Sequence, residues 1–270
     1  MTEMRSALVV GATGVVGSAL VKLLCDSGKY VAVNVISRRK LNFTHPKLNV
    51  KIREFDQIAD QDMEFAHEIF CCLGTTIKKA GSQSEFEKVD FEYPLSIAAL
   101  AKNHGVAHFI VISAMGANDK AMAHYSRVKG KLEKELIAMN FPQLSIVRPS
   151  LIIGDRDEFR LGESIGAKVM KVMNPLLVGT MAKYRSISAK QIALAMLNIA
   201  LNGEKQSVAI YTSEQLASMK MPAEVEIGDT TSADRLFNWD KYKDEDLPPV
   251  DKEVIIDRSK IKEVNQKNGK

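Results

Sequence analysis

Residues 9–20 read VVGATGVVGSAL, with Gly11, Gly14 and Gly17 three apart between an apolar run and a helical pattern. In a strand–turn–helix unit each glycine has its own task. The first permits the tight turn, the second lets the backbone approach a diphosphate, and the third lets the helix pack on the sheet. The helix N-terminus then presents free N–H groups and a partial positive charge to the phosphates. The spacing is GxxGxxG rather than GxGxxG, so context has to support it. It does, because the triple follows the first strand and opens the first helix, where the first β-α-β unit belongs. The expected cradle is Gly11, Thr13, Gly14, Val15, Val16 and Gly17.

Working outward, short β-type runs alternate with longer helical patterns. SALVV (6–10) leads into a helix from about Val15 to Gly28. YVAVNVI (30–36), LNVKIREF (48–55) and EIFCCL (68–73) read as the next strands. Phe86, Val89, Tyr93, Ile97 and Leu100 recur at helical spacing up to Gly105. HFIVIS (108–113) is a fifth strand, Tyr125–Met139 a helix and LSIVR (144–148) a sixth strand. A loop and a short helix at 163–173 follow. Ser188 with Gln191 forms a capping-box signature for a helix over 189–201, closed by Gly203, and SVAIY (207–211) is the last strand. Buried strands rich in β-branched residues and separated by helices require a parallel sheet covered on both faces. The expected fold class is α/β: a doubly wound, mostly parallel sheet of the NAD(P)-binding Rossmann type, with a small substrate-side region over about 150–220.

The end of the second strand selects the cofactor. An NAD site places an Asp or Glu there for the ribose 2′-hydroxyl, yet no acidic residue occurs between Asp26 and Glu54. The strand ends instead in SRRK. Arg38 and Arg39, beside Ser37, suit a 2′-phosphate, because guanidinium forks match phosphate oxygens and stay charged. NADP(H) is therefore expected over NAD(H). Ligands of such sheets lie at the carboxyl ends of the strands. That places Asp56 by the adenine, and Leu73, Gly74 and Thr75 by the ribose and diphosphate.

Tyr125 and Lys129 are four apart on a predicted helix and so share a face. A tyrosine with its ordinary pKa near 10 is a weak acid/base at neutral pH, and an adjacent ammonium lowers that value. Tyr125 could then give a proton to a carbonyl oxygen as hydride arrives, or remove one in reverse. With Ser113, which ends the fifth strand, the pair forms a Ser…Tyr-x-x-x-Lys arrangement that resembles the catalytic group of short-chain dehydrogenases. The resemblance implies that Ser113 would hydrogen-bond the same oxygen and that Lys129 would also hold the nicotinamide ribose.

Composition narrows the classes further. The chain has 270 residues, 46% hydrophobic, without a run of 18 apolar residues or a secretory leader pattern, and this points to a cytoplasmic protein with no integral membrane segment. Three cysteines, two of them adjacent, suggest neither a disulfide framework nor a metal site. The net charge of +4 conceals an uneven distribution: residues 222–270 hold 12 acidic and 9 basic side chains. With no basic run longer than RRK, nucleic acid is not an expected partner. The excess of basic residues earlier in the chain fits an anionic small molecule. Residues 77–90 and 151–186 are expected to line its pocket, with IKKAGS, Arg156, Arg160 and Arg185 as sources of positive charge. The segment 221–270 reads as a charged tail. It is either a solvated appendage or a contact for a protein partner or for the chain itself, through Leu236, Phe237, Trp239 and Tyr242.

FCCLGTTIKKAGSQSEFEKVDFEYPLSIAALAKNHGVAHFIVIS, YSRVKGKLEKEL and LSIVRPSLIIGDR, taken together, resemble the Tat-interacting-protein-like oxidoreductases, an atypical short-chain dehydrogenase/reductase group, over about residues 5–217. The resemblance implies a Rossmann fold, NADPH binding, Tyr125 and Lys129 at the tyrosine and lysine positions, and Pro149 bordering the nicotinamide. The leading expectation is an NADPH-dependent reductase or dehydrogenase acting on a small carbonyl or alcohol. Two alternatives stand beside it. An NADPH-binding regulatory or redox-sensing protein needs no proton donor, and a nucleotide-sugar epimerase or dehydratase normally needs a larger C-terminal domain.

Overall fold

The structure is a computed structural model that describes residues 5–64, 66–154, 181, 184–204, 206–223 and 225, all within the compact unit Met1–Thr231. The tail with Leu236, Phe237, Trp239 and Tyr242, the helix expected at 163–173, and Arg156 and Arg160 lie outside the described residues.

Among the described residues seven strands form one parallel sheet, and a small second sheet stands apart. The seven are β1 (Arg5–Val10), β2 (Tyr30–Ser37), β3 (Leu48–Ile52), β4 (Glu68–Cys71), β5 (His108–Ile112), β6 (Gln143–Arg148) and β9 (Val208–Thr212), in the order β3-β2-β1-β4-β5-β6-β9. The chain leaves β1 towards β2 on one side and returns to pair β4 on the other, so the strand order reverses at β1. This reversal opens a crevice at the carboxyl ends of β1 and β4, where such folds bind ligands. Strands β7 (Ile152–Ile153) and β8 (Ile187–Ser188) form the second, two-stranded parallel sheet.

Side-chain alternation along the strands divides the core between two faces. Leu8, Val10, Ile69, Cys71, Phe109, Val111, Leu144 and Ile146 pack in one cluster with Ile97, Ala98 and Ala101 of α4 (Tyr93–Asn103) and with Leu132 and Leu136 of α5 (His124–Ala138). Ala7, Val9, Phe70 and Ile110, also fully buried, alternate with these and point to the opposite face. There α1 (Val15–Asp26) packs against α6 (Ala189–Asn202), whose residues 192–197 are all buried. A helix buried on nearly every side explains why IALAML carries no polar stripe.

Three local departures from the sequence reading have physical causes. The helix expected through Phe86 and Leu100 runs without a gap from Gln83 to Asn103, as α3 (Gln83–Glu87), a π turn over Lys88–Glu92 and α4, with a separate short helix α2 (Ile77–Ala80) before it. Thr76 and Ser82 cap the two short helices through their hydroxyls. The Ser188 hydroxyl accepts the Gln191 N–H at 3.1 Å, but the Gln191 side chain does not reach back to complete a capping box. It donates instead to the Leu216 and Met219 carbonyls, tying down the end of α7 (Ser213–Ser218). LNVKIREF is a strand only as far as Ile52, because Phe55 turns inward to be buried at the start of a 3-10 turn.

The amino-terminal edge of the sheet carries its own polar cluster, away from the crevice. The Tyr30 hydroxyl donates to Glu68 at 2.5 Å, Arg5 donates to Glu68 at 2.8 Å, and His108 meets the Ser145 hydroxyl at 2.8 Å. Burial, with Arg5 nearby, pushes His108 down to about 4, so it is a neutral core group at physiological pH.

Candidate active site at the carboxyl edge of the sheet

The glycine turn is built for close approach. Gly11 has φ +83°, and a Cβ there would stand 2.5 Å from the Cys72 carbonyl group and 2.8 Å from the Leu73 nitrogen. A Cβ on Gly17 would lie 2.3 Å from the Gly11 oxygen, so only glycine lets α1 start directly against the turn. Gly14 is the N-cap of α1 and supplies no side-chain cap, and the first turn of the helix has no acidic residue. The leading N–H groups therefore keep their positive end for an anion. Thr13 and Gly14 are exposed at the tip, Val15 is half-buried and Val16 is buried. Gly154, just past β7, comes within 3.0 Å of the Val15 side chain when given a Cβ, so the chain after β6 closes one wall of the cradle. These residues fit the diphosphate of a dinucleotide.

The residues expected at the adenosine end lie beyond the carboxyl ends of β2, β3 and β4. Arg38 and Arg39 are exposed at the end of β2, while Ser37 is buried and its hydroxyl accepts the Arg39 N–H at 3.2 Å. The Arg38 guanidinium lies over the Phe55 ring, 5.3 Å from its centroid, and Phe55 meets Tyr93 edge-on at 5.6 Å. Asp56 follows, exposed. Leu73 is buried, Gly74 exposed and Thr75 half-buried beyond the end of β4. Cys71 and Cys72 stand just behind them; burial pushes the first up to about 11 and the second well above its ordinary value, so both remain thiols at neutral pH.

Tyr125 and Lys129 share one face of α5 with very different exposure. Tyr125 is 39% exposed and its ring leans on Phe86 of α3, centroids 5.6 Å apart. The described residues give its hydroxyl no hydrogen bond. Lys129 is buried; its Nζ pairs with Asp90 Oδ1 at 2.7 Å and donates to the Ile112 carbonyl at 3.4 Å. Gly130 lets the Asn118–Asp119 loop lie directly on α5: a Cβ there would stand 2.1 Å from the Asn118 carbonyl carbon. The loop before α5 is thereby pinned, and with it the start of the helix that carries Tyr125.

Two expectations for this group are revised by the geometry. Lys129 does favour the Tyr125 phenolate, but burial outweighs it and Asp90 adds to burial, so Tyr125 is pushed above, not below, its ordinary value. Ser113 faces another partner. Its hydroxyl donates to Glu133 at 2.5 Å, and the same carboxylate is gripped by Arg148 through Nε at 2.9 Å and through Nη2. The cause is strand parity: Phe109, Val111 and Ser113 project to the same side, towards α5 and Glu133. Pro149 is buried, and its carbonyl accepts the Met115 N–H at 2.9 Å.

Asp90 and Glu133 were not singled out from sequence, and Phe86 was read only as part of an apolar helix stripe. The signal for Asp90 was present, since it lies four residues after Phe86 and seven before Ile97, a carboxylate on the apolar stripe. Of the basic residues expected to attract an anionic substrate, Lys78 and Lys79 are exposed on α2, and Arg185 accepts the Ser150 hydroxyl through its carbonyl. Among the described residues there is no group of three or more potential metal ligands, and no helix is long and apolar enough to cross a membrane.

Comparison with known proteins agrees with this geometry. The model of the NAD(P)H-binding family matches residues 11–203. Protein HTATIP2 of Rattus norvegicus is 36% identical over 169 residues, 61% of this chain and 69% of its own length. Protein FMP52-1, mitochondrial, of Scheffersomyces stipitis is 30% identical over 225 residues, 79% of this chain and 98% of its own. Among solved structures, a UDP-N-acetylglucosamine 4-epimerase from Methanobrevibacter ruminantium superposes with TM-score 0.60 at 15% identity, covering 78% of this chain and 77% of the other. MoeE5 in complex with UDP-glucuronic acid and NAD gives 0.59 at 15%, covering 76% and 75%. At such identities these last two establish the fold alone.

The comparisons overturn the cytoplasmic expectation. FMP52 proteins of Debaryomyces hansenii, Scheffersomyces stipitis and Candida albicans are all named as mitochondrial. Few cysteines and no long apolar run suit any reducing compartment, so composition did not discriminate between them. Fold, cradle and relatives converge: the chain belongs to the NAD(P)H-binding family of oxidoreductase-type Rossmann proteins, in the Tat-interacting-protein-like group of atypical short-chain dehydrogenases/reductases.

Proposed function

We propose that the chain is an NADP(H)-dependent oxidoreductase that moves a hydride to or from a small carbonyl or alcohol, with Tyr125 as the general acid/base. One observation carries the reading: the glycine cradle of α1 and the Tyr125–Lys129 turn of α5 both belong to elements that start from the carboxyl edge of one sheet. Of Tyr125 and Lys129, Tyr125 is the more exposed, 39% against 3%, and the described residues give its hydroxyl no hydrogen bond. The bound cofactor supplies the hydride. The chain holds the diphosphate on the N–H groups of Gly14, Val15 and Val16, and Leu73, Gly74, Thr75 and Pro149 border it. Tyr125 holds the proton for the carbonyl oxygen, and Lys129 sits one turn away to orient the ribose and the phenol. Ser113 steadies the end of β5 through Glu133.

The preference for NADP(H) rests on Arg38 and Arg39. With Arg38 stacked on Phe55, Arg39 is the freer fork for a 2′-phosphate, and Arg38 covers the base. The names of the FMP52 relatives suggest a mitochondrial setting for the activity.

Fluorescence titration with NADPH and NADH tests this choice. Wild-type protein should bind NADPH at least about tenfold more tightly, since hydrogen bonds to charged groups contribute about 1.5–3 kcal/mol. Arg39→Ala should remove most of that difference while leaving NADH affinity unchanged. Equal affinities in the wild-type protein would overturn the NADP(H) assignment.

A further inference from the structure

Asp90 joins three elements at the centre of the site. It sits on the π turn between α3 and α4, is 1% exposed, and accepts the Thr75 N–H through Oδ2 at 2.8 Å. Its other oxygen holds Lys129 Nζ at 2.7 Å. π turns are uncommon and favour functional positions, because the extra residue turns one side chain out of helical phase. Here the turn carries a carboxylate set against a buried ammonium. Gly74 lies alongside, where a Cβ would come 3.5 Å from Oδ1.

The groups around this pair are few. The ammonium faces Tyr125 one turn back on α5, the Cys71 thiol of β4 and the Ile112 carbonyl of β5. Tyr125 faces Lys129, Asp90 and the Phe86 ring of α3, and the neighbouring His124 meets Glu87 at 3.5 Å. Glu133, one turn further along α5, is taken up by Arg148 and Ser113. Asp90 is therefore the carboxylate that answers the Lys129 charge.

Resting on the oxidoreductase reading, we propose that Asp90 is a positioning residue for hydride transfer. It fixes and neutralises Lys129, so that Tyr125 faces an ion pair rather than a lone cation, and the site is set to give a proton to a carbonyl rather than to take one from an alcohol. In the favoured direction, hydride and its two electrons pass from the reduced nicotinamide to the carbonyl carbon. The Tyr125 proton passes to the carbonyl oxygen, and water reprotonates the phenolate.

The electrostatics follow from the geometry. A lone ammonium stabilises a phenolate strongly, whereas a paired one acts as a dipole whose effect falls off quickly. Burial holds the Tyr125 hydroxyl above its ordinary value, with Lys129 opposing and Asp90 reinforcing. Burial works to lower the Lys129 ammonium, but Asp90 and Tyr125 outweigh it and leave it raised. The two groups titrate as a coupled set, and removing the Asp90 charge leaves an excess positive charge that favours earlier loss of a proton.

The test is an NMR titration of the full chain carrying ζ-carbon-labelled tyrosine, with the Tyr125 signal assigned by its loss in Tyr125→Phe. In Asp90→Asn the Tyr125 phenolate should appear about one pH unit or more below its position in the wild-type protein, and Asp90→Glu should stay near wild type. Should Asp90→Asn fail to fold, Lys129→Met reads the same balance in reverse: an unpaired Asp90 carboxylate should move Tyr125 upward. A Tyr125 titration unchanged in Asp90→Asn, or in Lys129→Met where only that variant folds, overturns the proposal. The titration needs neither substrate nor turnover. A shifted Tyr125 in a protein that transfers no hydride would refute the oxidoreductase reading and leave the charge-setting role of Asp90 standing.

Discussion

Tyr125→Phe should lower turnover by about 10²–10⁴-fold, the span over which a positioned acid/base accelerates proton transfer. Thermal stability and NADPH affinity should stay at wild-type levels. This selectivity follows from the structure. The described residues give the Tyr125 hydroxyl no hydrogen bond, and the substitution keeps the ring on Phe86. Deleting the oxygen removes only the group with a transferable proton. Steady-state kinetics, beside thermal denaturation and a cofactor titration on the same samples, would check it; full turnover in Tyr125→Phe would remove the tyrosine from the chemistry. The pH dependence carries a sign as well. Because burial holds Tyr125 protonated above its ordinary range, carbonyl reduction should persist through neutral and mildly alkaline pH and decline only as the phenolate forms.

Gly11→Ala should damage both fold and cofactor binding. The new Cβ meets the Cys72 backbone at 2.5 Å, and backbone cannot move aside as the end of a side chain can. The positive φ adds about 1–2 kcal/mol of strain. The total loss should be on the order of 3 kcal/mol or more. Relief requires the β1–α1 turn to lift from the end of β4, where the Cys72 N–H bonds to the Val10 carbonyl at 2.9 Å. That movement separates the α1 N-terminus from Leu73, Gly74 and Thr75. Gly81 offers an internal control: it too has positive φ, at +88°, but a Cβ there meets nothing within 4 Å. Gly81→Ala should therefore show the backbone strain alone, with NADPH affinity intact. Denaturant melts and cofactor titrations of both variants would separate strain from collision, and equal losses would show that the contact with β4 is unimportant.

The parallel sheet could be read from the sequence because most of its strands are short, buried, apolar runs separated by helical patterns, with the edge strand β3 largely exposed. The tight glycine turn was legible for a related reason: three glycines at a strand–helix junction mark a close approach of helix to strand. Side-chain direction past the ends of elements was harder to read. Ser113 has a plausible hydroxyl at a plausible distance along the chain, but strand parity sends it to Glu133. Lys129 was legible by its spacing from Tyr125, whereas its pairing was not: Asp90 is far away in sequence, and a carboxylate on an apolar helix stripe does not name the cation it meets. The inferred lowering of Tyr125 failed because burial outweighs the Lys129 ammonium and Asp90 adds to burial.

The most direct test of the account is deuteride transfer from reduced NADP carrying deuterium at the transferring position of the nicotinamide, over a panel of aldehydes, ketones and quinones. The account predicts product alcohol with deuterium on the carbinol carbon, formed by wild-type protein and nearly abolished in Tyr125→Phe. Tight cofactor binding with no deuterium in any product, or transfer undiminished in Tyr125→Phe, would contradict it.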